Sequence, residues 1–114
     1  MHEMSLVQAL LTQLATLAAE HDKKRVLTVT LDIGPLSGVV IDSFQFGFDI
    51  LSAENSLTKG AKLIIISPPA IYQCLRCGHR QSAAVRPDSC PECDETLLIS
   101  EGGDGIILNQ IEME

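Results

Sequence analysis

Tryptophan is absent from the 114 residues, and the aromatic complement is one tyrosine and three phenylalanines. Any core must therefore be built mainly from aliphatic side chains with few large anchors. Positive charge is also scarce: eight Lys and Arg stand against 15 Asp and Glu, for a formal net charge of −7. So acidic a chain lacks the basic footprint of a protein that grips nucleic-acid phosphates, and no nucleic-acid partner is expected. Long apolar runs are missing too. The longest, Leu63 to Ile66, is four residues, far too short to span a bilayer. The opening Met1-His2-Glu3-Met4 carries no basic segment, and Gln8, Thr12, Gln13 and Thr16 interrupt the stretch from Leu6 to Ala19. No secretory signal is expected, and the cytoplasm is the expected compartment. Cysteine occurs only between positions 74 and 93, which is not how disulfides staple the distant segments of secreted mini-domains.

Hydrophobic residues make up 46% of the chain and charged residues 20%, a balance that permits a packed core and argues against general disorder. Leu6, Leu10, Leu14 and Leu17 recur at helical spacing, and Ser5 with Gln8 forms a capping-box pattern, so a helix is predicted from about residue 6 to 20. On that reading Met1 to Met4 precede it as a short free arm. Val26 to Ile33 alternates as a strand with Leu27, Val29, Leu31 and Ile33 on one side, and Gly34-Pro35 ends it. A second helix is expected near 43–53, capped by Asp42 with Gln45 three residues on, and drawing Phe44, Phe48 and Leu51 inward. All three phenylalanines fall in it, so it should supply much of the core. Leu63 to Ile66 reads as a strand buried on both faces, stopped by Pro68-Pro69. Leu97 to Ile99 and Ile106 to Met113 return to strand composition after a segment poor in large apolar residues.

The expected fold is α+β: two helices on a small mixed three-stranded sheet, with an inserted four-cysteine zinc-ribbon-like module. The expected division is residues 1–69 plus 95–114 for an α/β domain, and 70–94 for the metal module. Gly102-Gly103-Asp104-Gly105 lacks the lysine and spacing of a P-loop and reads as a turn.

Cys74, Cys77, Cys90 and Cys93 are spaced C-x2-C-x12-C-x2-C. Two such knuckles can surround one Zn(II) tetrahedrally, because a two-residue spacer lets both sulfurs of a knuckle reach the same ion. The residue after the second cysteine of a knuckle often needs a positive φ. Gly78 meets that need freely, and Asp94 is among the few side chains that tolerate it. Arg76 and Arg80 are placed to offset the net charge of a four-thiolate zinc site. With all four positions filled by protein, the site would be structural. Iron in a rubredoxin-like site is the alternative occupant, with electron transfer as the function. A zinc ribbon using Arg76, Arg80 and Arg86 on phosphates is a further alternative, opposed by Asp88, Glu92 and Asp94 in the same segment. His79 is a spare imidazole two residues beyond Cys77, more simply read as a loop residue.

His2 directly follows Met1. A free α-amine, an adjacent imidazole and the following backbone nitrogens together make a planar nitrogen set of the kind that Ni(II) and Cu(II) favour. Read alone, a second-position histidine is most simply a solvated side chain.

Met1-His2-Glu3-Met4-Ser5-Leu6, the amphipathic helix after it, the Ile33-Gly34 strand end, the two knuckles, the Asp104-Gly105 turn and the closing strand Ile106 to Glu114 together resemble the HypA/HybF family. The likeness covers essentially the whole chain. These proteins are nickel metallochaperones of nickel–iron (NiFe) hydrogenase maturation. The resemblance implies Ni(II) at His2, through its imidazole and the backbone nitrogens of Met1, His2 and Glu3, with the Glu3 carboxylate nearby. It implies Zn(II) on Cys74, Cys77, Cys90 and Cys93. It further implies two partners, the HypB GTPase and the precursor of the hydrogenase large subunit, and a homodimer is compatible with it. Many members carry an acidic residue near the position of Val40, which is apolar here; the nearest carboxylate is Asp42. No catalytic grouping is visible, so the expected role is that of a carrier and not an enzyme.

Overall fold

The computed structural model describes Glu3–Glu114; Met1 and His2 lie outside the described residues. The elements in chain order are α1 (Glu3–Glu20), β1 (Val26–Ile33), α2 (Ile41–Ala53), β2 (Lys62–Ile66), β3 (Ala70–Cys74), β4 (Arg80–Ala83), β5 (Leu98–Glu101) and β6 (Ile106–Met113). They form two three-stranded sheets, ordered β2-β1-β6 and β4-β3-β5. The fold is the expected α+β arrangement of two helices, a small mixed sheet and a cysteine-bearing module. That module proves to have a sheet of its own.

The chain divides into two compact units. One contains the described residues up to Leu31 with Val39–Ile66 and Ile107–Glu114; the other contains Asp32–Gly38 and Ser67–Ile106. Both helices belong to the first unit and all four cysteines to the second. The cysteine-bearing unit also takes in 95–106, because β5 is needed to flank β3, and the turn after β1.

In the first unit α1 buries Val7, Leu10, Leu14 and Ala18; of the leucine repeat, Leu10 and Leu14 are thus buried as expected, while Leu6 and Leu17 at its edges are half-buried. Its start differs from the prediction. The helix already includes Glu3 and Met4, so Ser5 lies inside the first turn and is no cap. Glu3 instead brings negative charge to the helix N-terminus, where the dipole favours it. At the other end Asp22 adopts a φ of 54°. Lys23 N–H donates to Ala18 C=O at 2.8 Å and Asp22 N–H to Ala19 C=O at 3.3 Å, a Schellman closure that satisfies the last carbonyls.

Helix α2 begins two residues before the predicted start. Val40 is its N-cap and offers no side-chain acceptor, while Asp42 sits within the first turn, so the expected Asp42 cap is not formed. Gln45 Nε2 reaches forward to Asp49 Oδ1 at 2.9 Å instead of back toward a cap. Phe44 and Phe48 are fully buried, but Phe46 is 65% exposed and Leu51 only half-buried. Helical spacing cannot send residues 44, 46 and 48 to one face, since 46 is turned about 200° from 44 at 3.6 residues per turn.

The strands show two further departures. In β1 the alternation holds through Val29, Leu31 and Ile33, yet Val26 is buried and Leu27 exposed at the strand's start. Just ahead of it Lys24 and Arg25 N–H both donate to the Glu114 carbonyl, at 2.8 and 3.0 Å, a bulged pairing. Strand β2 is not buried on both faces. It is an edge strand, and only Leu63 is buried while Ile64 and Ile66 are 38% and 45% exposed. An edge position removes the neighbour that a central strand would have.

In the second unit β3 pairs antiparallel with β4 (Tyr72 opposite Gln81) and with β5 (Tyr72 opposite Ser100). Its core is small: Ala70, Tyr72, Cys74, Cys90 and Leu98, with Ala83 and Cys93 against them. Two of those five buried residues are cysteines, so the packing is centred on the sulfur cluster. The turn after β1 is locked to the glycine-rich turn before β6. Gly34 N–H donates to Gly105 C=O at 2.9 Å and Leu36 N–H to Gly103 C=O at 2.7 Å. A Cβ on Gly34 would lie 2.1 Å from the Gly103 carbonyl oxygen, a contact that only glycine avoids.

Candidate metal centres

The two knuckles are built alike. Gly78 N–H donates to Cys74 C=O at 3.1 Å, and Asp94 N–H donates to Cys90 C=O at 2.8 Å. Cys74 N–H donates to His79 C=O at 2.9 Å, and Cys90 N–H to Glu95 C=O at 2.8 Å. Each turn closes through a left-handed residue, Gly78 at φ 79° and Asp94 at φ 63°, in the two positions the spacing marks out. Leu75 N–H donates to Leu97 C=O at 3.2 Å and ties the first knuckle to the residue just before β5.

The geometry brings all four thiols together. Their sulfurs lie within 4.8 Å of one another, with Cys74 to Cys93 and Cys77 to Cys90 both at 3.6 Å. These are free thiols, far beyond a disulfide length of about 2.05 Å. A tetrahedral ion with metal–sulfur bonds of about 2.3 Å needs sulfurs roughly 3.8 Å apart, so the cluster fits one such ion. Backbone amides support it: Arg76 and Cys77 N–H point at Cys74 Sγ (3.4 and 3.5 Å), and Glu92 N–H at Cys90 Sγ (3.4 Å). Cys74 and Cys90 are buried, Cys93 is half-buried and Cys77 faces solvent.

Proton affinities in the cluster are spread apart. The backbone N–H of Cys77 draws the Cys74 thiol down to about 7, against the opposing effect of burial. Cys93 is pushed up to about 12: the Glu95 amide pulls it down, but burial and the neighbouring sulfurs outweigh that. Cys77 also rises, its own His79 amide being outweighed by burial and by the sulfurs of Cys90 and Cys74. One thiolate thus suppresses the ionisation of its neighbours, as close like charges must. A divalent cation removes that conflict by neutralising several thiolates together.

The arginines do other work than expected. Arg80 is ion-paired with Glu101, so its charge is directed to β5. The guanidinium of Arg86 lies 5.8 Å from the centroid of the Tyr72 ring and donates to the Leu98 carbonyl at 2.6 Å. Arg76 contributes its backbone N–H to Cys74 Sγ. Two of the three arginines that a phosphate-binding ribbon would need are therefore engaged within the unit. His79 is not among the residues whose ligand atoms converge. Sequence reasoning missed the amide-to-sulfur bonds and the Arg86 clamp; the knuckle spacing carries the first, and nothing in the local sequence announces the second.

Of the amino-terminal set, His2 and Met1 lie outside the described residues, and with them the nitrogen chelate. Glu3 is half-buried in the first turn of α1. Its Oε2 accepts a long hydrogen bond, 3.4 Å, from Val40 N–H at the start of α2. The carboxylate thus accepts from the amide of the N-cap residue itself, the part a glutamate plays in a capping box; it does not replace the side-chain acceptor that Val40 lacks for the first amides of the helix. Beside it, Glu3, Met4, Asp42, Ser43 and Phe46 line a cleft of about 420 Å³.

Fold and sulfur cluster together define a small metal-binding α+β protein with a closed four-thiol centre. Residues 1–113 match the model of a family described as hydrogenase/urease nickel incorporation, metallochaperone, hypA; the chain belongs to that family. It is 39% identical over 114 residues to the hydrogenase maturation factor HypA of Alkalilimnicola ehrlichii, covering 100% of both chains. Against the Rhodobacter capsulatus factor of the same name it is 36% identical over 113 residues, with 99% of each covered. The solution structure of the Ni metallochaperone HypA from Helicobacter pylori superposes with a TM-score of 0.69 at 25% identity, covering 99% of this chain and 97% of that one. Among the described residues no helix is long and apolar enough to cross a membrane.

Proposed function

We propose that the chain captures Ni(II) at its amino terminus and passes it on during nickel–iron hydrogenase maturation in the cytoplasm, while Zn(II) on Cys74, Cys77, Cys90 and Cys93 holds the second unit in shape. The match to the nickel-incorporation family over residues 1–113 carries this reading. The two ions are divided by chemistry. Zinc suits four thiolates in a closed site with no position left for water, which makes it a structural ion. Nickel suits the planar nitrogen set of the Met1 amine, the His2 imidazole and the backbone nitrogens of His2 and Glu3. Such donors can be replaced one at a time by an acceptor, and protonation of the amine or imidazole loosens the ion. The Glu3 carboxylate, accepting from Val40 N–H, serves mainly to steady the start of α2, and its part in nickel binding is through the backbone. The family role implies HypB and the hydrogenase large-subunit precursor as partners, and a carrier without a catalytic step of its own.

The test is a nickel titration of three proteins: one with a free amino terminus, one extended by a tag, and His2→Ala. Only the first should bind one Ni(II) tightly with a planar absorption band, and zinc content should be equal in all three. Equal nickel affinity across the set would overturn the assignment.

A further inference from the structure

The two helices share a charge property that the metal sites do not explain. Neither carries a single lysine or arginine; every lysine of the first unit, and Arg25, lies in a connection or at a strand end. On α2, Asp42, Phe46, Asp49 and Ile50 recur at four, three and one residue and share one exposed stripe. Phe46 is 65% exposed and Ile50 42%, while on α1 the neighbouring Met4 is 42% exposed. Phe46 and Met4 line the same cleft as Glu3, Asp42 and Ser43. The opposite face of α2 buries Phe44 and Phe48, so core packing is complete without this stripe. The protein therefore keeps its one exposed phenylalanine, beside a thioether, in a cleft rimmed by carboxylates.

We propose that this cleft is a docking site for a basic protein segment: an apolar side chain seated against Phe46 and Met4, flanked by lysine or arginine facing Glu3, Asp42 and Asp49. Charge selects this occupant over the others. A second copy of the same face would oppose carboxylates to carboxylates, which costs free energy where they are desolvated. A lone hydrated cation has no use for Phe46 and Ile50. An apolar anchor with a complementary charged rim is the arrangement by which short helical segments are held in grooves. The inference goes beyond nickel capture, since it needs none of the chelating nitrogens.

The probe is a fluorescein-labelled helical peptide of leucine and lysine with its leucines on one face, titrated into the zinc-loaded, nickel-free protein. Its glutamate-for-lysine and serine-for-leucine counterparts are run beside it. The lysine peptide should bind, with amide shift changes centred on residues 3–4 and 42–50 and affinity falling as salt is raised. Phe46→Ser should weaken it about tenfold or more, Asp42→Asn with Asp49→Asn should flatten the salt dependence, and Ile107→Ser, at an exposed site on β6, should change nothing. Equal binding of the glutamate peptide, indifference to Phe46→Ser, or shift changes spread over the surface would overturn the proposal. So would loss of a dimer on Phe46→Ser, which would make the stripe a contact between copies. Because no nickel is present, failure here leaves the chelate untouched, and failure of the chelate leaves this result standing.

Discussion

Gly78 and Asp94 show how much a single dihedral angle decides. Each follows the second cysteine of its knuckle with φ near +60° to +80°, a region that costs an ordinary side chain roughly 1–2 kcal/mol. Gly78→Ala should therefore weaken metal binding about tenfold, read by competition with a chromogenic chelator, although a Cβ there would meet nothing within 4 Å. Asp94→Gly should keep or improve the affinity, because glycine relaxes the same conformation. The thiols make a second prediction at this scale. Cys77 and Cys93 are raised above their ordinary value, so at pH 7 they are protonated and must each release a proton to bind an ion. About two or more protons should leave per ion, seen as a dependence of the binding heat on buffer ionisation enthalpy, and apparent affinity should rise with pH. Cys74, lowered to about 7, adds to that rise only below neutrality.

At the scale of elements, α2 has two faces with different duties. Phe48 is fully buried, and Phe48→Ala should cost about 3–5 kcal/mol by leaving a cavity in the first unit, measured as a lower denaturation midpoint. Phe46→Ser should leave that midpoint nearly unchanged, because its ring is already in water. The sequence made α2 itself legible through its spacing, with Phe44 and Phe48 buried as expected, but it suggested Asp42 as a cap and Leu51 as buried, where Leu51 is only half-buried. A cap depends on where the chain enters the helix, and here the N-cap position falls on Val40, which has no side-chain acceptor, while its own N–H is taken by Glu3 from another helix. Strand β2 teaches the same lesson. Four apolar residues in a row look fully buried until the sheet order leaves them at an edge.

At the scale of the whole molecule the two units are stabilised by different means. The first has a helical layer and an aliphatic and phenylalanine core; the second has Tyr72, Leu98, two alanines and the cysteines. Removing the metal, by chelation or by Cys74→Ala, should loosen the second unit and broaden the amide signals of 67–106. Far-ultraviolet helix signal should persist, because α1 and α2 both lie in the first unit. Complete loss of helicity would mean that the units do not fold independently.

Local rules settled a good deal in advance. The cysteine spacing, the two positive-φ positions and the helical leucine repeat are properties of neighbours in the chain, and each is found where the sequence puts it. The turn of each knuckle follows from the same short-range geometry, while the convergence of both on one centre within 4.8 Å also takes the pairing of β3 with β5 and the Leu75–Leu97 bond. What tertiary structure alone decided is relational: which strand lies at an edge, which carboxylate serves another helix, and where Arg80 and Arg86 spend their charge. Those outcomes depend on residues far apart in sequence meeting in space, and no periodicity along the chain encodes that.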